Sequence, residues 1–524
     1  MNIIQKRSAG IRGRIGFFKN WGDRLVILLL VAAAIIVHLI FYRNLGFHRD
    51  ELLYFSFADH LDFGYFSVPP LIGLMAFAAT RLFGYTLFAA KIIPALTGGA
   101  MVWLVASMTK ELKGSLFAQV LAATGLICSI IFLRGFGLFQ PVFSDLFFWT
   151  LLIYILLRYI HSQDERQIYY LGIVIGLGIL NKYNLLFLVL AVLMVLPFTK
   201  YKRLFSQKEV YIAFLIALVI ALPNLIWQLR HHLPVLSHLV ELRNSQLVQM
   251  SPFTFLTEQL LMIYPATLVA LPGLFYLLFS KKLAEFRWIG YSLLVVLGLY
   301  LVLHGKSYYA AGIYPLLISA GAVFFERSLK NYLARIVLIA FLVFLTWTVL
   351  PMGLPSQSPE KMVAYFDKAA RISGSNAIRR YENNKYYALP QDYADMLGWD
   401  ELADATNKAW TMIEHKDQCL IYAQNYGQAG AINIIGKKYH MPAAVSFSDN
   451  FRYWLPKIPD KEIIEFIYIN DELGKDMQQI FADIQEIGRI TNPLAREYGT
   501  RVYLCRSPRI SFNQFLRDRI PLIP

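Results

Sequence analysis

The segment LVILLLVAAAIIVHLIFYRNLGFHRDELLY, residues 25–54, decides how the rest of the chain is read. Its first part, Leu25–Phe41, is an apolar run of the length that crosses hydrocarbon as a helix, about 20 residues. No small-residue cleavage pattern follows it, so it reads as a retained membrane helix rather than a signal peptide. Directly behind it come two adjacent acids, Asp50 and Glu51, and then GYFSVPPL, residues 64–71. Carboxylates so near hydrocarbon are costly and are usually kept for chemistry or ion binding. An acidic solvated loop is the plainer alternative.

Composition extends the membrane reading to most of the chain. Of 524 residues 57% are hydrophobic and 16% charged, and the mean hydropathy is +0.46. The net charge of +15 resembles a nucleic-acid signature, but its placement argues against one. The basic residues collect in the N-terminal tail (Lys6, Arg7, Arg12, Arg14, Lys19, Arg24) and in short loops between apolar runs. Those loops hold Lys110 and Lys113, Lys200 to Lys208, Lys281 to Arg287, and Arg327 to Arg335. This is the positive-inside bias of cytoplasmic loops.

Alternating sides from a cytoplasmic N-terminus gives spans near 25–42, 88–109, 115–133, 145–160, 168–181, 184–199, 210–227, 254–279, 288–304, 308–326 and 332–352. That is about eleven helices at roughly 20 residues each. Pro69–Gly84 is expected to lie in the outer interface, because a crossing there would carry Lys110 and Lys113 outside. The expected divisions are a basic cytoplasmic tail 1–24, a membrane domain 25–353 with a first outer loop 43–87, and an outer domain 354–524. In the last, β-type segments at 419–424, 443–447, 465–469 and 501–505 alternate with helical patterns at Gln428–Tyr439 and Asp476–Ile487. The alternation predicts an α/β domain with a partly parallel sheet. An odd helix count places it in the bacterial periplasm, beyond the inner membrane. There Cys419 and Cys505 could pair or remain two separate thiols.

On this topology the chemistry-bearing residues gather at the outer face. Asp50, Glu51 and Asp145 are carboxylates able to take a proton, with helix N-capping the plainer role for Asp145. Arg134, Lys182 and Lys306 could hold a phosphate, and Lys182 and Lys306 could equally snorkel from helix ends. His48 lies in the first outer loop and His231 and His232 in the fourth, although adjacent histidines lack the spacing of a helical metal site. P-loop, GxGxxG, HExxH and GxSxG motifs are all missing from the sequence.

Taken in order, HRDELLYF (48–55), GYFSVPPL (64–71), LGILNKYNLLF (177–187), PNLIWQLRHHLPVLSHL (223–239), FLTEQLLMIYP (255–265) and GKSYYAAGIYPLLISAGAVFFE (305–326) resemble one family. It is the bacterial protein O-mannosyltransferase-like branch of the GT-C membrane glycosyltransferases, relatives of the lipid A aminoarabinose transferase. LPQDYADMLGW (389–399) and YAQNYGQAGAINIIGKKYHMP (422–442) look like the same subfamily. The resemblance implies a polytopic GT-C fold and sugar transfer from a polyprenyl-phosphate donor to a glycolipid, polysaccharide or protein outside the membrane. It implies Asp50 as general base or acceptor-positioning acid, with Glu51 and Asp145 as further acids. Lys182, Lys306, Tyr309 and Arg134 would face the donor phosphate, and His48, His231 and His232 the acceptor. Relatives carry an acid–His or Glu–Lys pair where this chain has Ser67 and Val68, and the aminoarabinose transferases an Arg in place of Leu53. Serine ligates zinc poorly and valine has no donor atom, so any divalent-metal dependence is expected to be weak or absent, with His48, His231 and Glu51 the ligands left to form a site from other loops. The competing class is a lipid or glycan transporter or assembly factor, for which charged or broken mid-membrane positions are few.

Overall fold

The computed structural model describes residues 21–245 and 251–520; the expected basic tail lies outside them, apart from Trp21–Arg24. Among the described residues, six helices are long and apolar enough to cross a membrane. They are Trp21–Ile40, Leu87–Glu111, Pro141–Ser162, Lys208–Arg230, Ser307–Ser328 and Tyr332–Gly353. A seventh is possible if Leu185–Phe198 and Lys200–Ser206, bent by 110°, count as one span. Every one of the eleven expected spans contains a helix, but several are short or broken, so the length criterion does not return eleven. The expected interfacial segment is the helix Leu71–Phe83, whose 13 residues reach about 20 Å.

Two expected spans break for an identifiable reason. The run 115–133 divides at Ser129 into Leu116–Cys128 and Ile130–Gly135, and the run 254–279 divides into Pro252–Leu261 and Thr267–Phe279. The broken ends meet: Ile130 N–H donates to Tyr264 O at 3.3 Å and Ile131 N–H to Met262 O at 2.8 Å. Backbone groups freed inside a membrane must find partners, and here each break supplies the other. Leu87–Glu111 and Pro141–Ser162 form the buried centre, with Trp149 and Phe143 fully enclosed. Lys208–Arg230 and Tyr332–Gly353 instead expose Phe214, Leu215, Phe344 and Trp347. An apolar exterior of this extent is suited to lipid.

The C-terminal domain carries a four-stranded sheet of β1 (Cys419–Ala423), β2 (Glu465–Asn470), β3 (Phe481–Arg489) and β4 (Arg501–Pro508), in the order β1-β2-β4-β3. β1 and β2 are parallel; β4 runs antiparallel to both β2 and β3. Three expected strands are present. Residues 443–447 reach the sheet only through a bridge from Val445 to Tyr422. The expected helix Asp476–Ile487 is a correction: Lys475–Ile480 is helical and Phe481–Arg489 is β3. Met477, Ile480, Phe481, Ile484 and Ile487 mimic helical spacing, but pairing along the β4 edge overrides it. Cys419 and Cys505 are free. β2 stands between their strands, which puts them about 9 Å apart, too far for a disulfide.

The domain is fastened onto the first loop of the membrane part. Gly46 N–H donates to Met396 O (3.2 Å), Arg49 N–H to Asp395 O (3.0 Å), and Phe66 N–H to Asn450 Oδ1 (2.7 Å). The helix Tyr426–Ile434 packs on the helix Arg49–Ser56, and a Cβ on Gly430 would come within 3.0 Å of the Leu52 backbone. Glycine is therefore required at 430 for this approach.

Candidate active site

The two adjacent acids of the first loop do different things. Extended His48 caps the helix Arg49–Ser56: its imidazole accepts from Asp50 N–H (3.1 Å), and its own N–H donates to Glu51 Oε2 (2.9 Å). This reciprocal cap fixes both acids at the first turn. Successive helical residues point about 100° apart, so the two carboxylates diverge. Glu51 turns inward and is fully buried, paired with Lys91 at 2.5 and 2.7 Å and accepting from Phe139 N–H at 2.8 Å. Its oxygens are taken, which makes it a fastening of the loop to the helix Leu87–Glu111 rather than a second reacting acid. Asp50 turns the other way and stays half-exposed. Gln140 donates to its Oδ2 (3.0 Å) and the Tyr426 hydroxyl to its Oδ1 (2.8 Å).

Tyr426 comes from the C-terminal domain, and its ring carries the Arg49 guanidinium at 4.5 Å. Burial, with the Asp50 charge adding, holds the Tyr426 hydroxyl protonated well above its ordinary range. It therefore donates to Asp50 throughout the neutral range.

A second cluster is built on the turn 181–184. Asn184 donates to Asp145 Oδ2 (2.7 Å) and to the Tyr309 carbonyl (3.1 Å), and accepts from the Tyr300 hydroxyl at 2.5 Å. Asn181 is clamped by Ser144 (2.5 Å) and donates to Pro141 O (3.0 Å). The turn thus presents Lys182, whose ammonium sits 4.6 Å from the Tyr309 ring and 5.1 Å from the Tyr308 ring. Among the described residues Lys182 forms no direct ion pair; its charge faces Asp145 and Lys306 at longer range. Asp145 is not the helix cap, which is Gln140; it lies inside the helix, with Oδ1 buried and without a hydrogen-bond partner among the described residues. Tyr308 lies within electrostatic reach of both Asp50 and Tyr54, so the acid and the lysine both face Tyr308.

Of the other expected site residues, only Lys306 faces this cluster. Arg134 pairs with Asp392 at 3.1 Å and donates to Met352 O (3.2 Å), joining the C-terminal domain to the membrane part. Lys306 has a loose partner in Glu382 at 3.8 Å and faces the cluster through Lys182. His231 stacks on Trp227, meets Tyr453 edge-on, and bonds the Trp227 carbonyl through Nδ1. His232 has a left-handed backbone (φ 61°) at the end of the same helix. Neither histidine contacts the Asp50 or Lys182 clusters among the described residues. No group of three or more His, Cys, Asp and Glu side chains there converges as a metal site.

Tyr426, Asp449 and Lys91 were not singled out as site residues. Tyr426 and Asp449 are brought in across the fold by the C-terminal domain. Lys91 did leave a signal, since a lysine inside an apolar helix needs a partner.

Residues 67–227, which hold Asp145, Lys182 and the clamped turn, match the family model described as dolichyl-phosphate-mannose-protein mannosyltransferase. Most of the chain superposes on ArnT from Cupriavidus metallidurans bound to undecaprenyl phosphate, with a TM-score of 0.60. That match has 13% identity and covers 91% of this chain and 97% of that one. The chain thus has the GT-C fold of that structure, and residues 67–227 resemble the protein mannosyltransferase family. The apo form of the same ArnT gives a TM-score of 0.56 at 13% identity, over 93% of this chain and 98% of that one. Two proteins of Rhizobium johnstonii are similar over part of their length. The lipid A galacturonosyltransferase RgtD is 29% identical over 197 residues, 37% of this chain and 40% of that protein. The lipopolysaccharide core galacturonosyltransferase RgtA is 26% identical over 208 residues, 38% of this chain and 41% of that protein. The chain therefore matches about two fifths of the length of these curated relatives.

Proposed function

We propose that the chain is an inverting glycosyltransferase that moves a sugar from a polyprenyl phosphate to a lipid-linked or glycan acceptor on the outer face of a bacterial inner membrane. The observation that carries this reading is that Asp50 and Lys182 both face Tyr308, the lysine 5.1 Å from its ring and the acid within electrostatic reach of it. An acceptor oxygen attacks the anomeric carbon, the bond to the phosphate oxygen breaks, and the electron pair leaves with the phosphate. Asp50 takes the acceptor proton. Lys182, with Lys306 behind it, meets the negative charge that gathers on the leaving phosphate. The ArnT neighbour bound undecaprenyl phosphate, and the galacturonosyltransferase relatives are named for lipid A and lipopolysaccharide core, which favours a glycolipid acceptor.

The test is transfer by the purified full chain in proteoliposomes. The donors are undecaprenyl phosphate carrying galacturonic acid or mannose; the acceptors are lipid A, dephosphorylated lipid A and core–lipid A. Product formation by the wild type, lost in Asp50→Asn, supports the reading. Movement of the donor lipid across the bilayer with no glycosylated product contradicts it and favours a transporter.

A further inference from the structure

Asp50 is not the only carboxylate at this place. Asp449 lies in the C-terminal domain in a left-handed backbone conformation (φ 48°), tolerable for aspartate because its short side chain bonds locally. Oδ1 accepts from the Ser67 hydroxyl at 3.2 Å and from Asn450 N–H at 2.7 Å. Oδ2 carries no hydrogen bond among the described residues, and the residue is half-buried. The same segment holds the first loop through the Phe66–Asn450 bond and the Arg452 guanidinium, 4.2 Å from the Phe66 ring. Asp449 is within electrostatic reach of Asp50, and both act on Tyr54 and Tyr426. Two acids, one on the first loop and one held to that loop through Ser67, thus lie within electrostatic reach of each other, and one of them has an oxygen without a hydrogen bond among the described residues.

We propose that Asp449 is the second acid of the site and binds a sugar hydroxyl of the acceptor beside Asp50, disfavouring an acceptor that attacks through a phosphate. The inference rests on the transferase reading and adds the class of acceptor group. A hydroxyl donates to one carboxylate and keeps lone pairs for attack. A phosphate has no proton to spare and is repelled by both acids. Burial pushes Asp449 up to about 6 against the pull of Ser67, the Asn450 N–H and Arg452, while Asp50 pushes the same way. Tyr54, Tyr426 and Tyr453 are the other titratable groups facing it. At neutral pH it remains mainly an ionised acceptor of hydrogen bonds.

The experiment uses the full chain in proteoliposomes with lipid A and dephosphorylated lipid A as paired acceptors. Asp449→Asn is expected to raise the acceptor KM about 10-fold, the worth of one charge-assisted hydrogen bond, with the donor KM unchanged. It should also narrow the preference for hydroxyl over phosphate, and Asp449→Glu should restore most of both. Ser67→Ala removes only the hydroxyl that orients Asp449 and should shift the acceptor KM the same way by less, which covers a misfolded Asp449→Asn. An unchanged acceptor KM and preference overturns the inference, as does a wild type that glycosylates only the phosphate. If the wild type transfers nothing, the transferase reading fails, while weaker quenching of tryptophan fluorescence by dephosphorylated lipid A in Asp449→Asn still supports the acceptor contact. Equal quenching in wild type and variant counts against it.

Discussion

The Tyr426 hydroxyl donates to Asp50 Oδ1 at 2.8 Å, between residues 376 positions apart in the chain. The bond makes the C-terminal domain part of the site: the acid comes from the first loop, and its orientation comes from the helix Tyr426–Ile434. Tyr426→Phe removes the donor and keeps the ring under Arg49. The expected cost is about 1 kcal/mol of stability, the net worth of such a bond. Turnover should fall more than donor binding, because the base loses its aim. Thermal melts and steady-state kinetics on the purified variant check both.

Glu51 and Lys91 form a buried pair that holds the loop to the membrane part. Removing one partner leaves an unpaired buried charge, so Glu51→Gln or Lys91→Met should each destabilise by about 3–5 kcal/mol. The double variant Glu51→Gln, Lys91→Met should recover much of that. A double variant no more stable than the worse single one would show that the charges do not act as a pair.

Lys182 and Arg134 were both expected at the donor phosphate, and the structure separates them. Lys182→Gln should raise the donor KM about 10-fold, through loss of one charge-assisted contact. Arg134→Gln should leave the donor KM unchanged and instead loosen the C-terminal domain, since its guanidinium pairs with Asp392. Donor titrations and limited proteolysis distinguish the two effects.

Asp449 also supplies a pH signature. Burial raises it from the ordinary 3.8 to about 6, so the folded chain holds this proton more tightly than the unfolded one. As pH falls from about 7 to about 5, protonation stabilises the wild type, whereas Asp449→Asn gains nothing from it. The Tm of Asp449→Asn minus that of the wild type should therefore decrease on acidification. A difference that is flat with pH would show that Asp449 titrates as an ordinary surface acid.

Much of the membrane architecture was legible because apolar runs and loop charges report directly on hydrocarbon. The breaks at Ser129 and between Leu261 and Thr267 were not, because the backbone bonds that join them link residues far apart in the chain. β3 was read as helix because its apolar residues fall at helical spacing, and only the β4 edge decides otherwise. Within the site, Asp50, Asp145 and Lys182 stood out as charged groups beside apolar runs. Divergence of Glu51 from Asp50 needed the cap at His48, and Tyr426 and Asp449 needed the docked C-terminal domain. Such contacts leave no trace in local spacing.

The most direct measurement is sugar transfer by purified wild type and Asp50→Asn in the same proteoliposomes, with folding of both verified by thermal melts. If Asp50 is the base, the variant should melt like the wild type while its rate falls by a factor on the order of 10² or more. A well-folded Asp50→Asn chain that transfers sugar at the wild-type rate would contradict the account.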